Sequence, residues 1–314
     1  MDIDVIIPVY RPDRGLFELL DSLNSQTLRP SDIILMNTEQ KYFDELVGDM
    51  DFEKTYPNVK VCHITKEEFD HGRTRRRGVR LSKAPVFVMM TMDAIPANDR
   101  LLENLVGALM KKESTEIAVA YARQLADDKC GVLETASRDF NYPDKSCTKT
   151  IADLDRMGIK TFFCSDVCAA YKREIYEELG GFVRRTLFNE DMIFASNAMK
   201  HGYAIRYEAE AMVIHSHNYS NSQQFHRNFD LGVSQKEHPE VFKGVRSESE
   251  GKKLVKETTG RLIKNHQASK LPHFYMQCAS KYAGYLLGKN YDKLPVGMVK
   301  KLSNTPGYFK EDKK

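Results

Sequence analysis

The sequence predicts an α/β fold, a mostly parallel sheet flanked by helices, with a helical extension toward the C-terminal end. Three observations lead there. Over the first 123 residues, short runs that are apolar at nearly every position alternate with segments of helical period. Strands covered on both faces read as such runs, and joining them in parallel requires a helix between each pair. From about residue 222 onward the pattern is helical throughout, and 314 residues with 41% hydrophobic and 29% charged composition suffice for a full core.

The elements follow in order. IDVIIPVY (3–10) is the first strand, and PDRGLFELLDSL (12–23) a helix with Leu16, Leu19, Leu20 and Leu23 on one face. SDIILMN (31–37) and NVKVCHI (58–64) are the second and third strands. A helix through RTRRRGVRLSK, the strand PVFVMMTMD, a helix through DRLLENLVGALMKK and the strand IAVAYAR (117–123) continue the series. Residues 124–165 break the rhythm with polar residues and turn signals, and predict a long irregular insertion of the kind that carries binding. Regular structure resumes in FFCSDVCAAYKREIYEELGGF, in NEDMIFASNAMKHG as a helix, and in YAIRYEAEAMVIHSHNYS as two short strands. The expected organisation is a catalytic-sized domain over 1–221, halved near 123/124, then a basic helical region over 222–314 that is interrupted near KLPHF.

Charge separates the same regions. Residues 251–314 hold 14 Lys and Arg against 4 Asp and Glu, leaving 33 against 40 in the rest. The tail is basic, the body mildly acidic, and the two are expected to do different work. No stretch approaches the ~18 apolar residues of a spanning helix. MDIDVIIPVYRP lacks the basic start of a signal peptide, and six cysteines form no CxxC pair. Both point to the cytoplasm and away from a disulfide framework or a cysteine metal cage.

Ligands of open α/β sheets sit beyond the carboxyl ends of the strands. Asp93, at the tip of PVFVMMTMD, reads either as a cap for the turn before Pro96 or the helix near Asp99, or as the anchor of a hard cation. Glu190 and Asp191 open a helix, where acids complement the dipole but also suit a general base. His215 and His217 end an apolar strand and fall on one side of an extended chain, so either could ligate a metal. Arg73, Arg75, Arg76, Arg77 and Arg80 crowd a helix start, as a solvated face or as a diphosphate-binding surface.

The order of these signals resembles a known family. VIIPVYRP, FDHGRTRRRG, TMDAIP, LGGF, NED and HSHNYS together resemble family 2 glycosyltransferases of the GT-A fold, in particular the bacterial rhamnosyltransferase branch. The resemblance spans about residues 2–220 by motif, with KYAGYLLGKNYDKLP a looser match in the tail. It implies a nucleotide-sugar half over about 1–123 and an acceptor half over 124–221. Asp93 stands where the family's Asp-x-Asp motif ends, with Thr91 at its first acidic position, so one carboxylate faces the cation, Mg²⁺ or Mn²⁺. Asp191 matches the catalytic base and Glu190 its supporting acid. His215 lies where a late metal-binding His is expected, with His217 the alternative. Pro8, Val9 and Tyr10 match the nucleoside loop, and Glu39 is the acid nearest the base. His71, Gly72, Arg75 and Met92 complete the nucleotide-sugar contacts, while Arg73 and Arg76 stand where the family has Gly and Asn.

What the resemblance implies is inverting transfer of a sugar, L-rhamnose from dTDP-L-rhamnose, to a hydroxyl of a glycan or lipid-linked glycan in bacterial surface-polysaccharide synthesis. Another UDP- or dTDP-sugar, or a non-catalytic nucleotide-sugar-binding scaffold, are the alternatives. No nucleic-acid partner is expected. The basic tail reads equally as a peripheral contact with the inner face of the cell membrane or as a helical subdomain that packs on the body or forms a homodimer.

Overall fold

A computed structural model describes residues 1–245 and 248–309. They fall into two compact units: residues 1–127, 142–185 and 190–216 form the first, and residues 128–141, 186–189 and those from 217 onward the second.

The first unit is built on β1 (Ile3–Tyr10), whose apolar residues are buried on both faces of the sheet. α1 (Gly15–Asn24) covers it with Leu16, Leu19, Leu20 and Leu23, the four leucines that the helical period aligns. β2 (Asp32–Thr38), α2 (Gln40–Val47), the short α3 (Phe52–Thr55), β3 (Val59–Ile64), α4 (His71–Leu81) and β4 (Val86–Met90) follow. These four strands lie in the order β3-β2-β1-β4 and pair in parallel, with Ile7 opposite Leu35 and Val5 opposite Val88. The order reverses between β1 and β4, and the crevice opens at the carboxyl ends of those two strands.

Beyond β4 the sheet becomes mixed. β5 (Ile95–Pro96), α5 (Leu101–Leu109) and β6 (Ile117–Leu125) precede β7 (Cys147–Lys149) and α7 (Leu154–Met157). Next come β8 (Cys168–Lys172), α8 (Arg173–Glu178), α9 (Glu190–Lys200) and β9 (Ala204–Ile214). β8 runs antiparallel between β4 and β6, and β9 lies parallel to β6. Where the sequence suggests two short strands over YAIRYEAEAMVI, one continuous strand is found. Ala209 and Ala211 stay buried while Glu210 faces out, and a register shift opposite Ala122 and Arg123 absorbs the irregular spacing. Nor is 124–165 largely irregular: β7, α7 and two 3₁₀ turns occupy it, and α6 (Val132–Asn141) packs in the second unit.

The second unit is helical. α10 (Asn221–Glu237) starts at a capping box between Ser220 and Gln223. α11 (Pro239–Phe242), α12 (Glu248–Lys264), α13 (Leu271–Lys289) and α14 (Val296–Leu302) follow. α10 and α13 approach backbone to backbone. A Cβ on Gly288 would lie 2.0 Å from the Phe229 carbonyl oxygen, and one on Gly284 2.2 Å from that of Phe225. Leu187, Phe229, Val233 and Val299 form one buried cluster of this unit. No helix among the described residues is long and apolar enough to cross a membrane.

Candidate active site

β4 stops at Met90, and the amide of Ala94 then donates to the carbonyl of Thr91 at 3.2 Å. That turn puts Met92 and Asp93 at its two corners. Met92 packs its side chain on the core, whereas the Asp93 side chain is 43% exposed. The buried ring of His215, just past β9, brings Nε2 to 3.4 Å from Asp93 Oδ1. Its Nδ1 lies 2.9 Å from Gln124 Oε1. Gln124 in turn donates through its amide nitrogen to the hydroxyls of Tyr142 (2.5 Å) and Ser165 (2.9 Å).

This network decides what His215 offers. With the Gln124 oxygen as acceptor, the neutral imidazole carries its proton on Nδ1 and turns the Nε2 lone pair toward Asp93. A carboxylate oxygen and a ring nitrogen, both electron-pair donors, then face one another, which suits a divalent cation shared between them. Thr91 Oγ1, at the position of the missing acid, is buried without a hydrogen-bond partner among the described residues. Oxygen and nitrogen donors of this kind fit Mg²⁺ or Mn²⁺ that draws its remaining ligands from water and phosphate. His217 begins the second unit, where its ring stacks on Tyr219 at 4.7 Å.

The second constellation gathers around Arg75. Its guanidinium is nearly buried on α4, with Nε 3.1 Å from Asp166 Oδ2 and Nη1 2.9 Å from Glu190 Oε1. His71, one turn earlier, lies 3.8 Å from the same Glu190 oxygen. The Tyr171 hydroxyl donates to Asp166 Oδ1 at 2.5 Å. Asp191 sits half-buried at the head of α9. The backbone N–H of Asp166 donates to its Oδ2 at 3.1 Å, and that of Met192 to its Oδ1 at 2.7 Å. Burial, then the charges of Glu190 and Asp166, push the Asp191 carboxyl well above the usual carboxylate range. Burial also pushes Asp166 up to about 7, against the pull of Arg75. Asp191 therefore has the affinity for protons that a general base needs. Glu190 and Asp166 are held as partners of Arg75.

The two constellations are continuous. Asp93 faces His215, His215 meets Gln124, Gln124 donates to Ser165, and the next residue, Asp166, donates its N–H to Asp191.

At the end of β1, Val9 is buried in the core, while Pro8 and Tyr10 are partly exposed on the opposite side. Tyr10 meets Tyr42 edge-on at 5.9 Å. Arg11, in the left-handed region at φ 49°, lies over both rings and donates to the Tyr42 hydroxyl at 3.1 Å. A cavity of about 370 Å³ is lined there by Arg11, Pro12, Tyr42, Glu45 and Leu46. Glu39 also has a positive φ of 67°, and its Oε1 accepts from the Lys66 amide at 2.9 Å.

α4 does not present its arginines as one surface. Arg75 turns inward, and Arg76 donates to the carbonyls of Gly180 and Phe182, whereas Arg73, Arg77 and Arg80 are exposed. Gly72 has a packing reason of its own, because a Cβ there would lie 2.0 Å from the Val183 carbonyl oxygen.

Sequence reading missed three residues of this region. Asp166 and Gln124 lie in FFCSDV and in the last residues of β6, inside runs whose apolar neighbours mask them. A buried arginine demands carboxylates, and only the fold shows which. The third is Lys149, 2% exposed, whose ammonium lies over the Tyr121 ring, 3.1 Å from its hydroxyl and from the Lys160 carbonyl. It also donates to the Phe163 carbonyl. Burial lowers its pKa to about 8. Lys149 thus holds from beneath the segment that leads to Ser165 and Asp166.

The model of the family described as Glycosyl transferase family 2 matches residues 4–180. The chain is 34% identical over 313 residues to the O-antigen chain rhamnosyltransferase RfbN of Salmonella typhimurium, covering 98% of this chain and 96% of that protein. To the O-antigen chain rhamnosyltransferase WbaN of Salmonella anatum it is 33% identical over 310 residues, covering 97% and 95%. Among solved structures, the mannosyltransferase PcManGT of Pyrobaculum calidifontis in complex with GDP-Man and Mn²⁺ superposes with a TM-score of 0.54 at 17% identity, over 98% of this chain and 84% of that one. TarS of S. aureus with UDP-GlcNAc superposes at 0.53 and 14% identity, over 93% and 92%. At those identities the structural likeness speaks for the GT-A fold alone.

Proposed function

The chain belongs to glycosyl transferase family 2, and from that premise we propose that it transfers L-rhamnose from dTDP-L-rhamnose, with inversion, to a hydroxyl of a lipid-linked glycan during O-antigen synthesis. The observation that carries this reading is the near full-length similarity to two O-antigen chain rhamnosyltransferases, joined to the position of Asp191.

Asp191 is the base in this reading. Two backbone N–H groups fix its carboxylate, and its raised proton affinity suits removal of a proton from the acceptor hydroxyl. That oxygen attacks the anomeric carbon from the face opposite the nucleotide. The new C–O bond forms as the bond to the diphosphate breaks; the proton stays on Asp191 and the nucleoside diphosphate leaves. A single displacement inverts configuration, so a β-linked donor gives an α-linked product. Asp93 and His215 would hold the divalent cation, which when bound supplies charge neutralisation to the departing diphosphate. Tyr10 and Pro8 form the nucleoside side of the donor site, with Glu39 nearest the base and the backbone of Met92 beside Asp93. Arg75, Glu190 and His71 position rather than react.

A panel of nucleotide sugars with Mg²⁺ or Mn²⁺, read by nucleotide release and by mass of an extended lipid-linked acceptor, tests the reading. Turnover of dTDP-L-rhamnose alone supports it. Preference for a UDP-sugar or another dTDP-sugar would replace the donor, and binding without turnover on any acceptor would favour a scaffold.

A further inference from the structure

α13 presents two different faces. Gly284, Gly288 and Phe274 are buried, the glycines directly against α10. On its other side, Tyr275, Met276, Tyr282, Leu286 and Leu287 are exposed by 46%, 58%, 52%, 40% and 37%. Tyr275, Tyr282 and Leu286 stand at i, i+7 and i+11, and Met276 and Leu287 flank them, so the five form one stripe along the helix. The alanines between them, Ala279 and Ala283, are exposed as well. A lone exposed leucine needs no explanation, but a continuous apolar helix face does.

The surroundings of the stripe are basic. The hydroxyls of Thr259 on α12 and Tyr275 lie 3.2 Å apart, joining the two helices at that end. On α12, Lys252, Lys256 and Ile263 fall at i−7, i−3 and i+4 from Thr259, and all three are exposed on the same face. Lys289 closes the opposite end of α13. Residues 251–314 carry 14 basic against 4 acidic residues. A second copy brought against this face would set like charges against each other, whereas an anionic surface would neutralise them.

We infer that this face of α12 and α13 docks on an anionic lipid bilayer, with the apolar stripe in the headgroup–acyl boundary and the lysines on lipid phosphates. Tyrosines suit that depth, with an apolar ring and a polar tip. The inference rests on the reading above for its purpose, access to a lipid-linked acceptor, but not for its chemistry.

The test is co-sedimentation of the full chain with vesicles of phosphatidylcholine, with and without about one-third phosphatidylglycerol. The expected result is partitioning at least about tenfold stronger onto the anionic vesicles. Lys252→Glu with Lys256→Glu should weaken it by about 25-fold or more, at roughly fivefold per basic residue removed. Met276→Asp with Leu286→Asp should abolish it. Both variants should keep the wild-type melting temperature and wild-type transfer to a soluble acceptor. Equal binding to neutral vesicles, no binding to either, or a solution dimer that Met276→Asp with Leu286→Asp dissociates would each overturn the inference. Vesicle binding by a protein that transfers no sugar would sink the enzymatic reading alone; transfer without vesicle binding would sink this one alone.

Discussion

Gln124 Oε1 lies 2.9 Å from Nδ1 of His215, while the same side chain donates to Ser165, the neighbour of Asp166. One buried amide therefore orients the ring that faces Asp93 and steadies the segment that holds Asp191.

Replacing Gln124 should show in both places. Gln124→Leu removes the acceptor that fixes the His215 tautomer, and cation affinity is expected to fall by about 10–100-fold. Titration with Mn²⁺, followed by its electron paramagnetic resonance, measures this apart from turnover. An unchanged affinity would remove His215 from the cation site.

Asp191→Asn keeps the shape of the head of α9 but cannot take a proton. The expected loss in kcat/KM is about 10²–10⁴-fold with donor binding retained. The base must be ionised to act, and burial followed by Glu190 and Asp166 raises its carboxyl. Activity should thus fall on acidification along a limb that lies above the ordinary carboxylate range near ~4, with the clustered acids titrating together. A limb at the ordinary value in the kcat/KM profile would exclude Asp191 as the base.

Arg75→Met strands two buried carboxylates, Asp166 and Glu190. Urea denaturation should show a loss of about 3–5 kcal/mol. Adding Asp166→Asn and Glu190→Gln should restore much of it, because no buried charge is then left unpaired.

Lys149→Met leaves the carbonyls of Lys160 and Phe163 without their donor, at a cost of roughly 1–3 kcal/mol. The gap from wild type should widen with pH. The folded pKa of Lys149 is lowered to about 8. Its contribution to stability is therefore present above the unfolded value of 10.5 and lost as pH falls through about 8. Urea midpoints at about pH 7 and pH 9.5 test the sign.

Much of this was legible in the residues. The alternation of IDVIIPVY, SDIILMN and NVKVCHI yields β1 to β3, and the four leucines of α1 take the face their spacing sets. TMDAIP, NED and HSH single out Asp93, Asp191 and His215 as candidates because a strand end or helix start exposes polar groups in a recognisable order, and the fold brings Asp93 and His215 within 3.4 Å. What stayed hidden depends on contacts far along the chain. Gln124 and Ser165 are 41 residues apart, and Arg75 reaches both Asp166 and Glu190. No local period encodes such pairs. The five arginines of α4 could not be told apart for the same reason, since composition does not distinguish an inward guanidinium from an outward one. The bulge in β9 was hidden because alternating alanines and glutamates read as a break between strands.

Lys149 also makes the catalytic unit its own clock. Tyr121, Phe163 and two carbonyls enclose its amine and keep it from an acylating reagent in water. Its labelling is limited by how often the protein opens there, not by the reactivity of the amine. The rate at which Lys149 is modified, set against that of exposed lysines in the same sample, counts the excursions of the segment that carries Asp166.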